Sequence, residues 1–187
     1  MSKRIFDLSL AILATPFLLC PLILIAIMVR CTSTGPIFYW SSRVGKNSEL
    51  FMMPKFRTML VTTPEVATHL LHTPSKFVTP IGSFLRKLSL DELPQLYSIF
   101  SGDMSFVGPR PALFNQDDLI YLRKSYGVDD LLPGLTGWAQ VNGRDEISIE
   151  EKVLLDCQYK KRMSLVFDLY IVWRTFFKVI SGSGINH

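Results

Sequence analysis

From Leu8 to Val29 the chain carries no charged residue, and a run of that length is enough to cross the hydrocarbon core of a bilayer as a helix. Three readings compete: a cleaved signal peptide, a spanning helix, and a helix that enters the membrane and returns. A signal peptide fits poorly. The run exceeds the usual apolar region, Asp7 interrupts the basic start made by Lys3 and Arg4, and no small-x-small cleavage site closes it. Leu19 stands before Cys20 where a lipoprotein signal has a small residue. Pro16 and Pro21 each remove an N–H and disturb the carbonyl four residues earlier, at Ile12 and Phe17, which favours a bend. Basic residues lie on both sides, Lys3 and Arg4 before the run and Arg30, Arg43 and Lys46 after it. Positive charge therefore names no translocated end, and both flanks on the cytoplasmic side is the consistent solution. A kinked spanning helix stays open, because transmembrane helices tolerate proline.

The 187 residues make about one domain, long enough for a real core. Hydrophobic residues reach 48% against 19% charged, an excess concentrated in the N-terminal run. A net charge of +4 and a pI near 9.0 fit an anionic membrane surface or a phosphorylated substrate as well as nucleic acid. No nucleic-acid-binding motif accompanies the charge, and such a module would leave the apolar run unexplained. Cys20, Cys31 and Cys157 are odd in number and far apart, so neither a disulfide framework nor a zinc spacing is visible. His69 and His72 lack the Glu or Cys partners of a metal site.

After Arg30 the pattern changes. Gly35-Pro36, Ile37–Trp40, a turn at Val44-Gly45-Lys46-Asn47, then Leu50–Met53 and Phe56–Met59 predict a β-hairpin that brings Lys55 and Arg57 to one end. Residues Thr62 to Lys76 read as a polar loop with a short helix over Glu65 to Leu71, and Ile81 to Arg86 as helix. Leu88-Ser89-Leu90-Asp91-Glu92-Leu93-Pro94-Gln95-Leu96 follows, with two adjacent carboxylates among cations. One reading is a capping box, in which Glu92 reaches back toward Ser89 and Asp91 complements the helix dipole. The other is a site. Carboxylates kept ionised at a helix start, near Arg86, Lys87 and Arg110, can bind a divalent cation, act as a base or attack phosphorus.

In Gly108-Pro109-Arg110-Pro111, Arg110 precedes a proline and is pushed toward extended geometry. Such a rigid segment suits bidentate phosphate recognition, and it suits an ordinary loop equally. Gln116 to Ser125 reads as helix. The glycines of Pro133-Gly134-Leu135-Thr136-Gly137-Trp138-Ala139-Gln140-Val141-Asn142-Gly143-Arg144 permit close approach of backbone to a ligand, or serve turns alone. Ser148 and Glu151 form a second capping box, opening a helix to about Arg162. In the last segment Ser164, Asp168, Arg174, Thr175, Lys178 and Ser181 gather on one side. Leu165, Leu169, Val172, Trp173, Phe176, Phe177 and Ile180 occupy the other, with Phe167 and Ile171 intruding on the polar side. The segment is either an interfacial helix or a buried core helix.

Four stretches carry a resemblance: Lys55-Phe56-Arg57-Thr58-Met59, Leu88 to Leu96, Gly102-Asp103-Met104-Ser105-Phe106-Val107-Gly108-Pro109-Arg110-Pro111, and Pro133 to Arg144. In this order and spacing the chain resembles the bacterial sugar transferase family, small monotopic phosphoglycosyl transferases that start glycan assembly on a polyprenyl phosphate. The likeness runs from Lys3-Arg4-Ile5-Phe6-Asp7 to the terminal helix. It implies a mainly α fold with a small β-hairpin, a re-entrant membrane helix over residues 1–31 and a catalytic domain over residues 32–187. Amphipathic interfacial helices would surround an active site on the cytoplasmic face of the inner membrane.

The resemblance also implies the chemistry. A UDP-sugar gives its sugar phosphate to an aspartate with release of UMP, and polyprenyl (undecaprenyl) phosphate then collects it. Asp91 would be the nucleophile and Glu92 its partner, both near Mg²⁺, with Lys55, Arg86, Arg110 and Arg144 neutralising the phosphates. Asp168 matches a further position near the family's active site. The membrane bend would fall at Cys20-Pro21, where the family often has Ser-Pro. A thiol is the weaker donor, and Thr15 before Pro16 offers a hydroxyl instead. Expected partners are the UDP-sugar, the lipid phosphate and the bilayer, with a homo-oligomer left open and no nucleic acid. The rival is a membrane-docked scaffold of the same fold without chemistry, against which the intact Asp91-Glu92 pair and its four cations speak.

Overall fold

Helix α1, Ser2–Thr32, is laid down by the apolar run and continues through both Pro16 and Pro21. The Thr15 hydroxyl donates to the Ala11 carbonyl at 2.7 Å, next to the Ile12 carbonyl that Pro16 leaves without its amide. The computed structural model describes residues 2–63, 74–143 and 147–181. The expected helix over Glu65 to Leu71, His69, His72 and Arg144 lie outside the described residues. Among the described residues α1 is the one helix long and apolar enough to cross a membrane. It packs by a narrow stripe: Asp7, Ala11, Ile25 and Val29 are buried, with Leu18 and Leu22 partly buried between them. Spacings of three and four put these residues on one face. Ile12, Leu13, Phe17, Leu19, Ile23, Leu24 and Ile27 point away from the body and are exposed.

The hairpin forms as expected, with a first strand that runs on past Trp40 to Val44. Strands β1, Phe38–Val44, and β2, Leu50–Phe56, pair antiparallel from Phe38 opposite Phe56 to Val44 opposite Leu50. Their turn holds Asn47 and Ser48 at φ 55° and 63°, a left-handed geometry that Asn tolerates better than most residues. Phe56 ends β2, and Met59 makes only an isolated bridge to Val78, so the predicted returning strand through Met59 stops early. Helix α2, Gly82–Lys87, is followed by a 3₁₀ turn over Leu90–Gln95 and by α3, Leu96–Ser101, which Gly102 closes at φ 100°.

Strand β3, Ser105–Val107, pairs in parallel with β5, Gly134–Thr136, while β4, Ala112–Leu113, adds to β1 at Arg43 and Val44. The glycines of this region serve backbone packing. A Cβ on Gly134 would lie 2.1 Å from Gly108 N, so the two segments approach as only glycine allows. Helices α4, Asp117–Ser125, α5, Trp138–Asn142, α6, Ile149–Arg162, and α7, Leu165–Ser181, complete the body. The Ser148–Glu151 capping box is present in both directions, at 3.2 and 3.1 Å. The core lies beneath α1, where Met53, Phe56, Leu85, Leu96, Ile99 and Met104 are buried, and beneath α7, where Val107, Val141 and Tyr159 are. Each large apolar side chain so buried stabilises by about 1.5–3 kcal/mol.

Helix α7 packs by the side that the wheel made polar. Phe167, Asp168 and Ile171 face the body and are buried, whereas Leu165, Leu169, Trp173, Phe176 and Phe177 are exposed. The two apolar intruders are therefore the packing residues, and a buried core helix is ruled out.

Candidate active site

Lys55 comes from β2, Asp91 and Glu92 from the 3₁₀ turn that packs against that strand, and Arg110 from the proline-flanked segment between β3 and β4. Glu92 Oε1 accepts from Lys55 Nζ at 2.7 Å and from Arg110 Nη2 at 3.3 Å. Asp91 and Glu92 are both nearly closed off from solvent by the chain. Burial pushes the Asp91 carboxyl above its ordinary value, opposed by the charges of Lys55 and Arg86. Burial likewise lowers Lys55, with Glu92 working the other way and Arg110 adding to the fall.

The capping reading fails on the backbone. Ser89 sits at φ 54° and ψ 23°, a left-handed residue whose hydroxyl makes no capping bond, and the following turn is 3₁₀. A cap residue must be extended for its side chain to reach the amides ahead of it. Glu92 turns to Lys55 and Arg110 instead of Ser89.

Arg86 approaches Asp91 from α2, and its Nε is fixed on the Thr58 hydroxyl at 3.0 Å. Arg57, which the hairpin was expected to deliver alongside Lys55, turns away: its guanidinium donates to the Ser33 and Thr34 carbonyls and caps the end of α1. Asp168, buried on α7, has other partners. Its Oδ2 accepts from Lys3 Nζ at 2.6 Å and its Oδ1 from the Tyr159 hydroxyl at 2.7 Å.

One cation of the cluster was missed in the sequence. Arg43 shares the face of β1 that Tyr39 presents opposite Lys55, and burial and Arg110 lower its guanidinium to about 10 while Glu92 opposes them. Its signal was the alternation Tyr39, Ser41, Arg43, visible once the strand is allowed to run past Trp40.

Among the described residues Lys55, Arg86, Arg110 and Arg43 thus face Asp91 and Glu92, four cations against two acids. Such a surplus can receive a multiply charged anion, and a buried carboxylate beside it can act as nucleophile or base. Among the described residues no group of three or more His, Cys, Asp or Glu could hold a metal. Two hard carboxylates do fit Mg²⁺ shared with substrate phosphates and water, since that ion takes one or two protein carboxylates in such sites.

The profile of the bacterial sugar transferase family matches residues 1–182. The sugar transferase EpsL of Bacillus subtilis is 42% identical over 188 residues, covering 98% of this chain and 90% of that protein. The exopolysaccharide production protein ExoY of Rhizobium meliloti is 39% identical, covering 98% of this chain and 88% of that protein. The UDP-glucose:undecaprenyl-phosphate glucose-1-phosphate transferase of Escherichia coli is 38% identical over 94% of this chain, which spans 39% of that longer protein. On a family match across nearly the whole sequence and relatives this similar, the chain belongs to the bacterial sugar transferase family and is an enzyme.

Proposed function

We propose that the protein transfers a sugar 1-phosphate from a UDP-sugar to polyprenyl phosphate, releasing UMP, as the first membrane step of a bacterial glycan such as an exopolysaccharide. The observation that carries this reading is the group of cations that, among the described residues, gathers around Asp91 and Glu92, a setting suited to a phosphate-bearing substrate. Relatives named for UDP-glucose, UDP-galactose and undecaprenyl phosphate chemistry support it.

In the first displacement an Asp91 carboxylate oxygen attacks the phosphorus that bears the sugar. The bond from that phosphorus to the bridging oxygen breaks, and UMP leaves with the electron pair. In the second, an oxygen of polyprenyl phosphate attacks the same phosphorus, the Asp91–phosphorus bond breaks and the carboxylate is restored. Splitting the transfer avoids setting one phosphate anion directly against another. Lys55, Arg110, Arg86 and Arg43 lower the repulsion between the phosphates and the attacking carboxylate. Asp91 serves as nucleophile because Glu92 Oε1 is bound to Lys55 and Arg110. Asp91 and Glu92 would hold Mg²⁺, which supplies charge neutralisation on the diphosphate. Arg144 keeps the role that the family resemblance implies as part of this proposal, while Asp168 serves beside the site by fastening α1 to α7.

The reaction runs on the cytoplasmic face of the inner membrane, with α1 re-entrant and bent at Cys20-Pro21. Support comes from both ends of α1. Arg4 donates to the Ile99 and Phe100 carbonyls and Lys3 pairs with Asp168, while Arg57 holds Ser33 and Thr34. A helix crossing a hydrocarbon core of roughly 30 Å would carry one end away from a body that here grips both. The exposed apolar row of α7, with Trp173 and Tyr170, suits the membrane interface.

The test is to mix the full-length protein in detergent with a UDP-sugar labelled in the sugar phosphate, without lipid acceptor, using UDP-glucose, UDP-galactose and UDP-N-acetylgalactosamine in turn. The expected result is label on Asp91 and stoichiometric UMP in the presence of Mg²⁺, and neither after chelation. Label on Glu92, or UMP released with chelator present, overturns the assignment.

A further inference from the structure

Arg110 is presented by a segment that cannot hold itself in a ladder. Pro109 and Pro111 have no N–H to give, so the backbone here is anchored through its carbonyls. Pro109 O accepts from Gly134 N at 2.9 Å, Arg110 O from Arg123 Nη1 at 2.7 Å, and Pro111 O from Arg43 Nη1 at 3.3 Å. Two of the three anchors are guanidinium groups from other elements, α4 and β1.

Arg123 is in turn aimed by α6. Its Nε and Nη2 lie 3.0 and 2.8 Å from Asp156 Oδ2, and Asp156 is only 1% exposed. One edge of the planar fork is therefore fixed on the carboxylate, which leaves Nη1 directed at Arg110 O. A pair that only stapled α4 to α6 would have no use for that third nitrogen. Replacing a buried ion pair with apolar residues is often neutral for stability, so stability alone is weak grounds for one.

We propose that the Asp156–Arg123 pair positions the active site: it holds the main chain of Arg110 so that the Arg110 side chain meets Glu92 and the diphosphate of the sugar nucleotide. This rests on the reading of Arg110 as a substrate-binding cation. Asp156 and Arg123 touch no substrate and act through Arg110. The family match says nothing of such a role.

A double-mutant cycle tests it on the full-length protein in detergent with Mg²⁺, following UMP release and thermal unfolding for Arg123→Lys, Arg110→Ala and the double variant. Lysine keeps a charge for Asp156 but cannot serve both acceptors with a fixed fork. The expected result is a fall in kcat/KM of about tenfold to a hundredfold for Arg123→Lys, the cost of a misplaced group remote from the chemistry. The double variant should then be no slower than Arg110→Ala alone. Losses that multiply across the two backgrounds, or Arg123→Lys within about twofold of wild type, overturn the positioning role. Arg110→Ala within about twofold of wild type instead overturns the substrate-binding reading beneath it. Should Arg123→Lys not fold, Asp156→Asn replaces it in the same cycle, since it leaves Arg123 in place and loosens only its fork, and the same results decide.

Discussion

Lys55 Nζ lies 2.7 Å from Glu92 Oε1, and Lys3 Nζ lies 2.6 Å from Asp168 Oδ2. The two contacts are alike in length and differ in company. Among the described residues the charges around Glu92 do not cancel, because Arg110, Arg86 and Arg43 join Lys55 against two acids. Around Asp168 each oxygen has one partner, Lys3 on one and the Tyr159 hydroxyl on the other, with Tyr159 also 3.1 Å from the Val107 carbonyl. A surplus of one sign has a use only when an anion arrives. A matched set is complete in the folded chain, and here it fastens the start of α1 to α7. The number of partners, more than the presence of a buried acid, separates a reacting group from a fastening one.

The largest effect should come from the unmatched side. Asp91→Asn should cut UMP release by at least about three orders of magnitude if the nucleophile is lost. Its thermal midpoint should not fall, because the amide no longer bears the cost of burying a charge. Turnover within about tenfold of wild type would put Asp91 in the fastening class.

Asp168→Asn should show the reverse. It leaves the Lys3 charge without a counter-charge and should lower stability by about 2 kcal/mol, less than for a fully buried pair because Lys3 is partly exposed. Denaturant unfolding measures this, with turnover per folded molecule close to wild type. A stable Asp168→Asn protein without turnover would break the comparison and move Asp168 into the active site.

The smallest effect is in pH. Burial first, and then the hydrogen bond to Asp168, raise the Tyr159 hydroxyl above its ordinary 10.0. The unfolded chain then gives up that proton before the folded one does. The contribution is present in full below pH 10.0 and is lost as pH climbs above it. The stability gap between wild type and Tyr159→Phe should therefore narrow between pH 8 and pH 11, and a constant gap would remove Tyr159 from the matched set.

What the sequence disclosed was mostly local. The Ser148–Glu151 cap and the hairpin follow from neighbours within a few residues, and each is present. Ser89 and Glu92 have the same spacing as the true cap, yet Lys55, 37 residues upstream, takes the glutamate. Arg43 and Arg123 gain their meaning from carbonyls 68 and 13 residues away, and no window on the sequence contains both partners of the first. For α7 the wheel sorted the side chains but left open which way the apolar side faced, inward to a core or outward to an interface, and Leu165, Leu169 and Trp173 point outward.

The grip on both ends of α1 makes the anchor part of the catalytic body and not a tether. A truncation starting at residue 33 would strip the cover from Met53, Leu96 and Met104 and leave Asp168 without its lysine. Exchanging α1 for an unrelated membrane helix would do the same. Soluble versions of this enzyme are better sought by recolouring the outward residues Ile12, Leu13, Phe17, Leu24 and Ile27 with polar side chains, which leaves the Asp7, Ala11, Ile25 and Val29 seam untouched.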